Sequence, residues 1–159
     1  MIVLVMGVSG SGKTTIGEAL AAELGWPYLD ADDFHPKANV EKMAAGIPLQ
    51  DADRWPWLAG INRKLLQLEK QKHSAVVGCS ALKQIYRRRL ARGIRNFRTV
   101  YLKGEFQLIE KRVKARKHRY MPASLLKSQF DTLEPPRRAI VVDVAAPVRV
   151  TVRSIARRL

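Results

Sequence analysis

Short apolar runs alternate along the chain with segments whose apolar residues recur at helical spacing. Residues 2–6 form a continuous apolar run that ends at a glycine, as expected for a buried strand of a parallel sheet. Residues 14–24 carry apolar side chains at helical spacing and stop at Gly25, which is typical of a helix end. The same alternation predicts further strands at 27–29, 75–79, 97–102 and 139–144, and further helices at 38–45, 54 to about 71, 82–92, 105 to about 117, 122 to about 132 and 148–159.

Strands separated by helices predict an α/β fold, with one parallel sheet covered by helices on both faces. The 159 residues suit a single domain that spans the whole chain. Asp53 is expected to cap the helix that begins at Arg54, because an aspartate in that position accepts hydrogen bonds from first-turn N–H groups. Pro56 would then lie within the first turn, where proline is tolerated.

The segment between the first strand and the first helix is Gly7-Val8-Ser9-Gly10-Ser11-Gly12-Lys13-Thr14, which matches G-x-x-x-x-G-K-[ST] at every fixed position. Small residues allow backbone N–H groups to close around phosphate oxygens at a helix N-terminus. Lys13 is expected to reach the β- and γ-phosphates, and the Thr14 hydroxyl to bind Mg²⁺. The predicted nucleotide-binding residues are Gly7, Ser9, Gly10, Ser11, Gly12, Lys13, Thr14 and Thr15.

Two absences narrow the class of nucleotide-binding protein. No N-K-x-D segment is present, which disfavours a GTPase, and the chain is short for a motor ATPase. The third predicted strand ends at Cys79-Ser80 and lacks the aspartate that often holds magnesium at that point. A magnesium-binding acid is therefore expected after the second strand, where Asp30 could hold the metal through water. In a kinase the cofactor would be Mg²⁺-ATP.

Further polar residues follow the second strand, at the edge of the sheet where ligands of open parallel sheets bind. Asp32 could orient an acceptor hydroxyl and take its proton. Asp33 could instead cap a turn, and His35 could be either a ligand or a structural histidine. Arg54 could bind a substrate carboxylate in bidentate fashion or form a surface salt bridge. The residues leave these alternatives open.

The chain carries a net charge of +15, and the segment 83–119 holds 14 Lys and Arg against two Glu. Such a segment could attract nucleic acid, although no nucleic-acid-binding motif accompanies it. It could also belong to a phosphate-handling enzyme with a basic lid. Arg112 and Arg116 are four residues apart and are expected on one helix face, either in solvent or directed at a nucleotide.

Membrane and export signals are missing from the sequence. No apolar run approaches the ~20 residues that span a bilayer, and the first apolar run is too short for a signal peptide. Cys79 is the single cysteine, so an internal disulfide framework is excluded. The chain is expected in the cytoplasm, without a membrane partner.

Several segments together resemble the gluconokinase family, and the matches run in order from Met1 to about Pro135. They include residues 6–15, Asp30-Ala31-Asp32-Asp33-Phe34-His35-Pro36, Asp53-Arg54-x-Pro56-Trp57-Leu58, Cys79-Ser80-Ala81-Leu82-Lys83 with Tyr86-Arg87, and Ser128-Gln129-Phe130. The phosphate loop is shared by many families, whereas the other segments are specific in combination. Two departures are Ala31, where the family usually has glycine, and Arg119, where it usually has histidine.

The resemblance implies transfer of the ATP γ-phosphoryl group to the 6-hydroxyl of gluconate. It implies a P-loop kinase fold with a five-stranded parallel sheet and a mobile lid at about 115–125. It implies Lys13 and Asp32 as catalytic residues, and a homodimer that binds no nucleic acid. The residues implied on the substrate side are Asp32, His35, Arg54, Lys83 and Arg87, and the implied lid arginines are Arg112 and Arg116. The alternatives are a P-loop kinase for shikimate or a nucleoside monophosphate, or a nucleotide-dependent nucleic-acid-binding module.

Overall fold

The computed structural model describes residues 1–116 and 123–159, which form five strands and the helices between them. The strands are β1 (Ile2–Met6), β2 (Tyr28–Asp30), β3 (Ala75–Gly78), β4 (Phe97–Lys103) and β5 (Ile140–Asp143). They form one sheet in the order β2-β3-β1-β4-β5. Every neighbouring pair is parallel, which confirms the predicted sheet. All five strands therefore present their carboxyl ends at the same edge.

The helices connect these strands and lie on both faces of the sheet. The α-helices are α1 (Lys13–Leu24), α2 (Lys37–Ala44), α3 (Asp51–Lys70), α4 (Gln84–Ala91), α5 (Phe106–Lys114), α6 (Ala123–Thr132) and α7 (Val148–Ala156), and a 3₁₀ helix spans Ala31–Phe34. Each lies where a helix was predicted, apart from the 3₁₀ helix, and the predicted ends differ by up to three residues.

Strand β1 explains why both faces are covered, because its side chains alternate between two buried clusters. Val3 and Val5 belong to a cluster completed by α1, α5 and α7. Ile2, Leu4 and Met6 belong to a second cluster completed by α3 and α4. All five side chains are fully buried, so the central strand holds the loop that follows it in a fixed position.

The predicted start of α3 is wrong. The helix begins at Asp51, after Gln50, and not at Arg54. The Asp53 side chain lies inside the first turn, where it accepts a hydrogen bond from the Gln50 N–H at 2.9 Å and one from Lys42 Nζ at 2.8 Å. Pro56 therefore lies in the second turn, where its missing N–H costs one helical hydrogen bond.

The predicted lid lies mostly in residues 117–122, which are outside the described residues, as is Arg119. Among the helices that the structure describes, none is both long and apolar enough to cross a lipid bilayer.

Candidate functional site

The loop between β1 and α1 contains two glycines just before the helix begins. Gly10 and Gly12 have φ angles of 80° and 94°, in the left-handed region that glycine adopts without strain. A Cβ at Gly10 would overlap the Val113 side chain of α5. Glycine is thus required at position 10 both for its backbone conformation and for close packing, and neither Gly10 nor Gly12 has a side chain that could block a ligand from the loop.

Lys13 lies at the first position of α1 and is partly buried within this loop. Its Nζ donates a hydrogen bond to the Val8 carbonyl oxygen at 3.0 Å. Burial lowers the pKa of Lys13 to about 8, although the charges of Asp32 and Asp30 act in the opposite direction. A multiply charged anion would stabilise the ammonium here, so the loop fits a polyphosphate.

A cavity of about 230 Å³ opens beside the loop, at the carboxyl ends of β2 and β3. It brings together most of the residues predicted to bind nucleotide and metal. Those that line it are Ser9, Gly10, Gly12, Lys13, Thr14, Thr15, Asp30, Asp32 and Arg116. Gly7 and Ser11 belong to the same loop but are buried beneath its surface.

The two acids of this cavity differ in their surroundings. Asp30 Oδ1 accepts a hydrogen bond from the Asp32 N–H at 2.9 Å, which caps the 3₁₀ helix. The Asp32 side chain is 76% exposed. Asp30 is therefore fixed by the backbone, whereas the Asp32 carboxylate can reach a ligand.

His35 lies next to Asp32 but outside the cavity lining. Its Nε2 is 3.9 Å from Asp32 Oδ1, and its side chain is only 6% exposed. The imidazole stacks on Trp57 with ring centroids 4.2 Å apart, while Trp57 Nε1 donates to the Ala31 carbonyl oxygen at 2.7 Å. Burial lowers the pKa of His35 and so favours the neutral imidazole.

Arg54 and Lys83 meet at a shared acid, Asp51, that sequence reasoning missed. Asp51 Oδ1 is 3.8 Å from Arg54 Nη1 and 3.5 Å from Lys83 Nζ, and it accepts a hydrogen bond from the Tyr86 hydroxyl. That hydrogen bond and Lys83 lower the pKa of Asp51. The two cations lie 5.5 and 5.7 Å from the centre of the Tyr86 ring. The structure thus places both predicted cations in one cluster.

Arg87 has a different environment from Arg54 and Lys83. Its side chain is buried, and its Nη1 donates to the carbonyl oxygens of Ala81 and Leu82 at 2.8 and 3.0 Å. Its Nη2 donates to the Glu134 carbonyl oxygen at 2.8 Å. These contacts brace the segment after β3 against the segment after α6, and the substrate contact expected for Arg87 stays a prediction.

The two arginines predicted to share a helix face separate in the structure. Arg112 donates from Nη2 to the Val144 carbonyl oxygen at 2.7 Å, away from the cavity. Arg116 lies beyond the end of α5 and lines the cavity. Its positive charge contributes to the lowered pKa of Lys13. Of these two arginines, Arg116 is the one that could contact an anion bound in the cavity.

Sequence reasoning assigned no role to four further residues at the site. Tyr28, Cys79 and Ser80 line the cavity, and burial raises the pKa of the Cys79 thiol to about 12, so it stays protonated. Gln129 of α6 accepts a hydrogen bond from the Ser9 N–H at 2.7 Å and donates to Ser9 Oγ at 3.1 Å. It therefore ties the phosphate loop to the helix that follows the predicted lid.

Comparison with known proteins gives consistent relatives for this arrangement. A family model described as an AAA domain matches residues 2–136. A protein named probable gluconokinase from Xenopus tropicalis is 42% identical, over 98% of this chain and 91% of its own length. The thermoresistant gluconokinase of Escherichia coli K12 is 41% identical, over 96% of this chain and 90% of its own. The crystal structure of a gluconokinase from Sinorhizobium meliloti 1021 matches with a TM-score of 0.86 and 43% identity, over 98% of this chain and 91% of that one.

The contacts of Arg87 predict a structural effect when it is replaced. Arg87→Met should lower the free energy of unfolding by about 3 kcal/mol, because two buried carbonyl groups and one partly buried carbonyl group lose a charged donor. Urea unfolding measures this change, and Arg88→Met, at an exposed neighbour on α4, is the matched control. Unchanged stability together with a raised KM for the acceptor would instead place Arg87 on the substrate.

Proposed function

Because the chain belongs to the gluconokinase family, we propose that it transfers the γ-phosphoryl group of ATP to the 6-hydroxyl of D-gluconate, giving 6-phosphogluconate and ADP. ATP-dependent phosphorylation of gluconate is the activity that its relatives support. The observation that supports the residue roles is a pair of polar groups near the phosphate loop. Asp32 lines the cavity with His35 beside it, and Arg54 and Lys83 meet at Asp51. The charge of Arg54 also acts on His35.

The residues of the loop fit Mg²⁺-ATP. The left-handed glycines Gly10 and Gly12 leave backbone N–H groups of the loop accessible to phosphate oxygens. The pKa of Lys13 stays lowered despite the charges of Asp30 and Asp32, so its ammonium would be stabilised further by a bound phosphate. Thr14 would hold the metal through its hydroxyl and Asp30 through a water molecule. When bound, Mg²⁺-ATP supplies the phosphoryl group and offsets part of the charge on it.

The chain's own residues would then carry out three tasks. Lys13, the loop N–H groups and Arg116 stabilise negative charge on the phosphates. Arg54 and Lys83 hold the gluconate carboxylate, which places the 6-hydroxyl at the opposite end of the acyclic acid, near Asp32. Asp32 accepts the hydroxyl proton while the new O–P bond forms and the bond between the γ-phosphorus and the bridging oxygen breaks, leaving ADP.

Other expectations remain proposals of the same kind. They are the single domain over 1–159, the lid at about 115–125, a homodimer, a cytoplasmic location and the absence of nucleic-acid binding. Arg112 contributes to nucleotide binding in this proposal only if it leaves its contact with Val144.

Acceptor selectivity tests the function directly. ADP release from Mg²⁺-ATP should occur with gluconate at about 1–100 s⁻¹ and stay near background with shikimate, AMP, CMP or no acceptor. Turnover with another acceptor alone would retain the kinase and overturn gluconate as the substrate. If no acceptor stimulates ADP release, the nucleic-acid-binding alternative becomes the leading one. A gel shift with nucleic acid at increasing salt concentration would test that alternative.

Replacing Asp32 tests the proton acceptor. Asp32→Asn should reduce kcat with gluconate by about 10²-fold or more, because an amide cannot take the hydroxyl proton. Steady-state kinetics give kcat, and the exposed neighbour Asp33 supplies the control Asp33→Asn. Near-normal turnover of Asp32→Asn would remove Asp32 from the catalytic role.

Replacing Arg54 tests the carboxylate contact. Arg54→Met should raise the gluconate KM by about 10- to 100-fold through loss of a charged hydrogen bond, while kcat and the ATP KM change little. Arg63→Met, at an exposed position on the same helix, is the control. An unchanged gluconate KM would argue against this contact.

A further inference from the structure

Asn39 is a buried polar residue on α2 that lies between two hydrogen-bond partners. Its Nδ2 donates to the Asp53 carbonyl oxygen at 2.9 Å and lies 3.3 Å from His35 Nδ1. Both contacts leave from the same amide nitrogen. Asn39 therefore connects the start of α3 to the imidazole next to Asp32.

These two contacts determine which imidazole nitrogen carries the proton. A carbonyl oxygen can only accept, so the Asp53 contact fixes the amide with its nitrogen towards both partners. The second hydrogen of Nδ2 then points to His35 Nδ1, which has to accept it. A neutral imidazole that accepts at Nδ1 carries its hydrogen at Nε2, and Nε2 is the atom that faces Asp32.

We propose that Asn39 is a positioning residue that holds His35 in the Nε2–H tautomer, so that His35 donates and Asp32 accepts at the same acceptor hydroxyl. The 3.9 Å between Nε2 and Asp32 Oδ1 is too long for a direct hydrogen bond. It leaves room for a hydroxyl oxygen bound to both groups. This proposal about Asn39 and His35 rests on the proposed gluconate kinase function.

The polarity of the pair matters for phosphoryl transfer. A hydroxyl that donates to Asp32 and accepts from His35 Nε2–H keeps one lone pair free for the phosphorus atom. In the opposite tautomer, Nε2 and the carboxylate would both be acceptors, and one hydroxyl hydrogen could satisfy only one of them. Stacking on Trp57 holds the ring plane, and Asn39 selects the tautomer within that plane.

The charged groups around His35 are compatible with this tautomer. Asp32 faces it from the 3₁₀ helix and favours the protonated ring, whereas Arg54 faces it from α3 and, together with burial, favours the neutral ring. The Asp53 carboxylate is turned to Lys42 at 2.8 Å, so only its backbone carbonyl takes part.

The tautomer can be read directly from the wild-type protein. Long-range ¹H–¹⁵N correlation spectra of ¹⁵N-histidine-labelled protein contain three ring systems, for His35, His73 and His118, and His35→Gln assigns the first. We expect the Nε2–H pattern at about pH 8, without added substrate. An Nδ1–H pattern overturns the proposal whatever the activity proves to be, whereas loss of gluconate turnover alone would overturn only the proposed function.

Reversing the hydrogen bond gives a kinetic test. In Asn39→Asp the new carboxylate accepts from Nδ1–H, which leaves Nε2 without hydrogen while the ring is neutral and raises the pKa of His35. We expect kcat with gluconate to fall about 10²-fold at pH 8. As pH falls below the raised pKa, the ring gains a proton and Nε2–H returns, so kcat should be about 5-fold higher at pH 6 than at pH 8.

Asn39→Ala is the matched control, since it removes the amide without reversing the hydrogen bond. It should lower kcat by about 10-fold without the rise in kcat towards acid pH. An Asn39→Asp protein that folds, as judged by its unfolding temperature, and keeps the wild-type pH profile would refute the positioning role. If Asn39→Asp does not fold, the wild-type spectra still decide the tautomer.

Discussion

The backbone loop that follows β1 is the constraint on which the site depends. It places the Lys13 ammonium in partly buried surroundings, where burial lowers the pKa of Lys13 to about 8. The strand β1, from which the loop starts, has side chains that are all fully buried. The strand cannot shift without disturbing both clusters, so the ammonium and the loop N–H groups are preorganised for an anion. The other groups of the site are arranged around this fixed positive centre.

The local features of the fold could be predicted from the sequence, because each depends on residues close together in the chain. The apolar runs, the helical spacing and the loop motif determined the strands, the helices and the position of the phosphate site. The start of α3 could not be predicted as easily, because Gln50, Asp51 and Asp53 all suit a helix start. The contact of Asp53 with Lys42, eleven positions earlier, depends on how α2 packs.

The roles that sequence reasoning did not predict depend on contacts between distant parts of the chain. Tyr28 occupies space left by Gly17 and Gly78, since a Cβ at either glycine would overlap its ring or hydroxyl. Gln129 reaches Ser9 across 120 positions, and Arg87 reaches the Glu134 carbonyl across 47. No periodicity or short motif encodes such pairs. The predicted substrate-side roles of Asp32, His35, Arg54 and Lys83 rested instead on the family resemblance. The structure adds that Asp32 lies beside His35 and that Arg54 and Lys83 meet at Asp51.

The basic segment 83–119 contains several cations whose side chains contact other parts of the protein. Arg87 and Arg112 donate to backbone carbonyls, Arg89 lies 3.8 Å over the Trp55 ring, and Lys83 pairs with Asp51. These contacts give four of the basic side chains between 83 and 116 a partner within the protein.

The Asp51 contact also bears on the proposed acceptor. Arg54 and Lys83 share that one carboxylate, so the cluster carries one net positive charge, which matches the single negative charge of a sugar acid better than the nearly double charge of a nucleoside monophosphate. If Arg54 and Lys83 hold the acceptor as proposed, Asp51 would favour a monocarboxylate there, while Lys13 and the loop would bind the more highly charged phosphates.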